Sequence, residues 1–182
     1  MTDTGTYTVP GLKADEGKKV AEALQDRLNA LNDLHLTLKH IHWNVVGPNF
    51  IAVHEMLDPQ VDDVRGFADD VAERIATLGA VATGTPGALV KNRTWNEYSI
   101  GRADTIEHLG ALDLVYTGVI EGHRDAIKTV GEIDPVTEDL LIGQAGKLEL
   151  FHWFVRAHLE NSGGKLSTQG ADTEASAAQQ AG

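Results

Sequence analysis

From Asp15 onward, apolar or aromatic positions return at every third or fourth residue, through Val20, Leu24, Leu28, Leu31, His35, Leu38, His42 and Val45. That spacing is the period of an amphipathic helix. Gly47-Pro48-Asn49 then ends it. A second stripe runs through Phe50, Val53, Leu57, Val61, Val64, Ala68, Val71, Ile75 and Leu78, and stops at Gly79. Residues 79–102 are rich in Gly and Thr and lose the period. They are predicted to form a long crossover with one short helix around Trp95–Tyr98. A third stripe, Ile106, Leu109, Leu112, Tyr116, Val119, His123 and Ile127, predicts a helix over about Ala103–Val130. A fourth opens with Asp134 as N-cap and Pro135 at the first helical position, and runs to about Asn161, before Gly163-Gly164. Four long helices with the long connection between the second and third predict an all-α four-helix bundle with a single crossover. The bundle is assigned to residues 15–164, flanked by a flexible N-terminal arm (1–14) and a disordered, low-complexity C-terminal tail (165–182).

Composition narrows the chemistry. The 182 residues hold 15 basic and 27 acidic side chains, a formal charge of −12, which disfavours a phosphate backbone as partner and favours cations. There is no cysteine, so disulfides, thiolate metal sites and a Cys nucleophile are excluded. A metal site would have to use His and carboxylates. Met1–Pro10 carries neither a basic nor an apolar signal region, and no apolar run approaches the ~20 residues that span a bilayer. The expected location is the cytoplasm, with no membrane partner.

The stretch His42–Glu73 holds the suggestive constellation. His42 lies on the first stripe, and His54, Asp58, Asp69 and Glu73 lie on the second helix. With His54 at the origin, the three acids fall at about 40°, 60° and 100° around the axis, so all four share one face. Along the axis, however, His54 and Asp58 stand about 16 to 28 Å from Asp69 and Glu73, far beyond a metal–ligand bond of ~2 Å. One copy of the helix cannot close a site. His54 and Glu73, and likewise Asp58 and Asp69, are symmetric about a point between Asp63 and Val64. An antiparallel second copy related by a dyad therefore sets His54 opposite Glu73 and Asp58 opposite Asp69, with His42 completing the set. Such symmetry makes two equivalent sites per dimer. Asp58 before Pro59 could instead cap a helix starting there. The stripe passes Pro59 without a change of phase, which favours one kinked helix.

These residues sit in runs that resemble the Dps family, the small dodecameric ferritins: His42-Trp43-Asn44, Gly47-Pro48-Asn49-Phe50, His54-Glu55-Met56-Leu57-Asp58 and Ala72-Glu73-Arg74. Weaker agreement at Phe151-His152-Trp153-Phe154 extends the likeness to about residue 160. The resemblance implies a ferritin-like bundle whose ferroxidase centre takes His42, His54 and Asp58 from one subunit and Asp69 and Glu73 from its dyad mate. It implies iron as the metal, hydrogen peroxide in preference to dioxygen as oxidant, and ferric mineral stored in a homo-dodecamer. Trp43 would lie near the iron and could intercept one-electron oxidants; a packed aromatic is the plainer role. Asp134, Glu138 and Asp139, at the opening of the fourth helix, correspond to the region lining the family's acidic three-fold pores, although acids there also complement the helix dipole.

Some family members bind DNA through basic tails. Here the arm has only Lys13, Lys18 and Lys19, and nothing after Lys165 is basic, so DNA binding is expected to be weak or absent. Competing readings are a metal-dependent hydrolase using the same His and carboxylate cluster and a nucleoid protein that protects DNA by association. Glu149 and His152 form a single Glu-x-x-His motif without the partners a conventional di-iron bundle needs. His35 is expected in the core or behind the ligands, and His40, His108, His123 and His158 as structural or surface groups.

Overall fold

The computed structural model of the chain describes residues 7–161 and 163–182. Four long helices form the bundle: α1 (Ala14–Asn44), α2 (Phe50–Thr77), α4 (Thr105–Gly131) and α5 (Pro135–Leu159). Their apolar stripes meet in one core that includes Leu24, Leu31, Leu38, Leu57, Val64, Leu112, Tyr116 and Leu148. α2 is continuous through Pro59, as the unbroken stripe implied. Tyr116 donates from its hydroxyl to Gln60 Oε1 at 2.6 Å inside the core, so a polar bond ties α4 to α2 one residue beyond that proline.

The turn between α1 and α2 is built tightly. Gly47 (φ +92°) and Asn49 (φ 64°) take left-handed backbone conformations, which Gly adopts freely and Asn more readily than most residues. A Cβ at Gly47 would also stand 2.6 Å from an Asp104 carboxylate oxygen. Two-residue strands β1 (Val45–Val46) and β2 (Ala103–Asp104) pair in parallel, tying the end of the crossover to this turn. Thr105 Oγ1 adds a hydrogen bond to the Pro48 carbonyl at 3.2 Å. The reversal at 45–49 thus packs the end of α1 against the start of α2.

Three expectations are corrected. The crossover's short helix is α3 (Pro86–Asn92), not 95–98. Pro86 supplies a preset φ at its first turn, and Leu89 anchors it. Trp95 and Tyr98 lie instead in extended chain, held by Trp95 Nε1 donating to Asp33 (2.6 Å) and by the Tyr98 hydroxyl against His108 Nδ1 (2.9 Å). Residues 165–182 are ordered against the bundle rather than disordered, ending in α6 (Glu174–Ala181) packed on α4. Small side chains allow it: Ala177 is fully buried, and its carbonyl comes so close to Gly110 that a Cβ there would meet it at 2.5 Å. Thr173 caps α6 by accepting from the Ser176 N–H. In the arm, residues 1–6 lie outside the described residues, whereas Val9 and Leu12 pack against the core instead of moving freely.

Candidate metal centre

His42 occupies the last turn of α1 and His54 the second turn of α2, and the tight reversal stacks their rings 3.6 Å apart at 23°. Each Nδ1 lies 3.0 Å from the backbone carbonyl of the other residue. A carbonyl only accepts, so each Nδ1 is the donor, and in a neutral ring the lone pair is then at Nε2. This reciprocal pair fixes both tautomers in the form in which imidazole binds metals through Nε2. Phe50 stands 5.0 Å from the His54 ring.

Asp58, one turn beyond His54, places Oδ1 3.0 Å from Lys39 Nζ and 3.2 Å from His42 Nδ1. The Lys39 hydrogen bond is the main reason its carboxyl lies below the usual range, with the charges of His42, Lys39 and His54 adding to it. The group is thus an anion ready to meet a cation. Trp43 is 71% exposed, with Lys39 Nζ 5.8 Å from its ring centre.

Asp69 and Glu73 are exposed on the same helix, three to five turns further on, and the chain does not bring them to the histidines. Among the described residues, no three His, Cys, Asp or Glu side chains of one chain are arranged to hold a metal ion. A single chain therefore presents half-sets: two imidazoles and a carboxylate at one end of α2, two carboxylates toward the other.

The acids at the start of α5 divide. Asp134 is the N-cap residue but points inward, 4% exposed, against Arg74 Nη2 at 2.6 Å and the Thr137 hydroxyl. Burial opposes its charge, and the bonds from Thr137 and Arg74 outweigh that and hold the carboxyl below its usual range. Within the chain its carboxylate is thus taken up by Arg74 and Thr137, while the residue keeps the N-cap position. Glu138 is half-buried beside Gly131, and Asp139 is exposed.

The sequence reading missed one buried ionic cluster. Asp113 in the middle of α4 accepts from His152 Nε2 (2.6 Å), Arg156 Nε (2.8 Å) and the Thr168 hydroxyl (2.7 Å). Burial alone would raise its pKa, yet these three donors drive it far below the carboxylate range. A lone acid within the apolar run Leu109–Tyr116 was the available signal. Glu149 bonds Arg124 instead, so Glu149 and His152 share no site. Of the remaining histidines, His35 is half-buried, which lowers its pKa. His40, His123 and His158 each bond a backbone carbonyl.

The architecture is that of the ferritins. A family model described as a ferritin-like domain matches residues 21–162. The chain is 59% identical over 176 residues to the "DNA protection during starvation protein" of Mycolicibacterium smegmatis, covering 97% of this chain and 96% of that one. It is 53% identical over 166 residues to the "Fine tangled pili major subunit" of Haemophilus ducreyi, covering 91% and 88%. The solved structure of DpsA14 from Streptomyces coelicolor superposes with a TM-score of 0.89 at 67% identity, over 91% of this chain and 99% of that one. The protein belongs to the Dps family of ferritin-like proteins.

Proposed function

We propose that the protein oxidises ferrous iron at centres shared between two dyad-related subunits and stores the ferric product inside a homo-dodecamer, protecting the cell from oxidative damage. The observation that carries this reading is the reciprocal Nδ1–carbonyl pairing of His42 and His54. It leaves both Nε2 atoms free of those two bonds, with the Asp58 carboxylate 3.2 Å from His42 Nδ1, and a metal held there would need more oxygen ligands from elsewhere. Asp69 and Glu73 of a partner would supply them. Imidazole with carboxylate is a suitable donor set for ferrous iron. Iron is the substrate here. Two ferrous ions each give one electron to hydrogen peroxide, the preferred oxidant in this reading; the peroxide takes up two protons and leaves as water. Dioxygen is the slower alternative. Trp43, exposed and next to His42 in the chain, would intercept a stray one-electron oxidant. Asp139, with Glu138 beside it, would gather cations at a three-fold pore.

The protein would work in the cytoplasm. Its described helices include none long and apolar enough to cross a membrane. With −12 charges per chain, DNA binding is weak at moderate salt; a gel shift that persists there would overturn this part. The central test adds ferrous salt and peroxide to the assembled protein and follows ferric absorbance. Asp58→Asn should suppress the rate, and an unchanged rate would remove the centre from the mechanism. A metal-dependent hydrolase using the same cluster remains the second reading, because the same imidazoles would also bind an ion that activates water.

A further inference from the structure

A cavity of about 540 Å³ opens between α1 and α4, away from every residue of the metal centre. Its floor is apolar: Ala30 and Leu34 from α1, with Leu114, Val115 and Val119 from α4. Gly118 leaves the middle open, since a Cβ there would meet nothing within 4 Å. One wall is the extended crossover with Trp95, and the other is the C-terminal segment at the start of α6. The size and the apolar floor suit a small organic ligand.

The charges around the rim set its sign. Asp33, Glu97, Asp172 and Glu174 line the cavity, against a single cation, Arg27. The Arg27 guanidinium lies over Gly122; burial lowers its pKa, and the charges of Asp26 and Asp125 work against that. Asp33 is committed to Arg93 and Trp95, Glu97 meets Arg93 only at 3.8 Å, and Asp172 has no ion pair among the described residues. Burial raises the Glu174 pKa and the charge of Asp33 adds to it, against a hydrogen bond from the Ser99 N–H at 3.4 Å and the charge of Arg93.

We propose that this cavity binds a small organic cation, an ammonium group on a flat apolar body, with the body on the α1–α4 floor and the charge toward Glu174 and Asp172. The occupant is distinct from the iron chemistry, and the folded C-terminal segment forms part of its site. Trp95 offers an aromatic surface at the same wall.

The test uses three probes with the same indole body: tryptamine, tryptophol and indole-3-propionate, titrated into the assembled wild-type protein by calorimetry and ligand-observed NMR. Tryptamine should bind tightest and the carboxylate weakest. Replacing both acids by E174Q and D172N should weaken tryptamine by roughly two- to thirtyfold, the range for two exposed charge pairs, and leave tryptophol unchanged. Gly118→Leu should fill the floor and abolish binding of all three, with the rate of iron oxidation unaffected. Equal affinity for the cation and the anion, tighter binding of the anion, tryptamine binding that survives Gly118→Leu, or no binding at millimolar tryptamine would each overturn the proposal. Loss of iron oxidation in an Asp58→Asn control with tryptamine binding intact separates this site from the metal centre.

Discussion

The division of the metal centre between two chains can be tested by complementation. Asp58→Asn removes a proposed ligand from the histidine half-set, and Glu73→Gln removes one from the acid half-set. Both side chains are exposed, so neither change disturbs the core. Assembled alone, either variant has a defect in every centre. When the two are co-expressed in equal amounts, random pairing makes about half of the dimers mixed. In a mixed dimer, one centre takes His42, His54 and Asp58 from the Glu73→Gln chain and Asp69 and Glu73 from the Asp58→Asn chain, and is intact. The other centre carries both defects. About one quarter of all centres are therefore restored, and the initial rate of ferric absorbance growth should recover to about one quarter of wild type. Native mass spectrometry of the pool measures the fraction of mixed dimers and corrects the expected value. A pool rate equal to the mean of the two parents, with mixed dimers present, would show that the two half-sets do not meet across a dyad.

Other perturbations probe the frame around the centre. Asp113→Ala leaves the buried His152 and Thr168 donors without their acceptor and Arg156 without its anion, so stability should fall by about 1–3 kcal/mol; hydrogen exchange at residues 166–181 should rise with it, and unchanged protection there would show that the C-terminal segment is held by other means. The folded Asp113 carboxyl lies far below its unfolded value of about 3.9, so its contribution is complete above that value and is lost as pH falls toward the folded one; urea titrations of wild type and variant should therefore converge in strong acid. Arg74→Met strands the buried Asp134 carboxylate and should also cost about 3–5 kcal/mol by denaturant titration, with a loss under 1 kcal/mol refuting the assignment. Lys39→Gln removes the main cause of the low Asp58 pKa, so the Asp58 titration followed by NMR should move upward toward the ordinary carboxylate value, and no upward movement would mean that Lys39 does not bond this group in solution.

The bundle was legible because its evidence is periodic. Each long stripe continues for about six turns or more, and the stops at Gly47, Gly79 and Gly163-Gly164 are local backbone chemistry. What failed to show was structure stabilised by long-range contacts. The segment 165–182 carries too little apolar surface to suggest a helix, and it folds because Gly110 lets the Ala177 backbone approach and Asp113 accepts from Thr168. Neither partner is near it in sequence. The crossover helix was misplaced for a related reason. Trp95 and Tyr98 are bulky and apolar enough to suggest an amphipathic turn, yet each spends its polar atom on a distant side chain, Asp33 or His108, which holds the backbone extended.

The candidate centre shows the same limit. The spacing of His54, Asp58, Asp69 and Glu73 already demanded a second chain, because axial rise along one helix is fixed. The carbonyl partners of the two Nδ1 atoms were not readable, since they depend on how tightly residues 45–49 reverse the chain. Asp134 was ambiguous because an acid before Pro135 satisfies the rules for a helix start and for a cation pore equally well. Neither rule anticipates the approach of Arg74 from α2, which pairs with the carboxylate. That contact also matters for the centre itself. Arg74 follows Glu73 directly, so the ion pair that fastens α5 to α2 acts at the same helical turn that would present Glu73 to a partner. A change that loosens Asp134 should therefore register first as a displaced Glu73, and only afterwards as a weaker core.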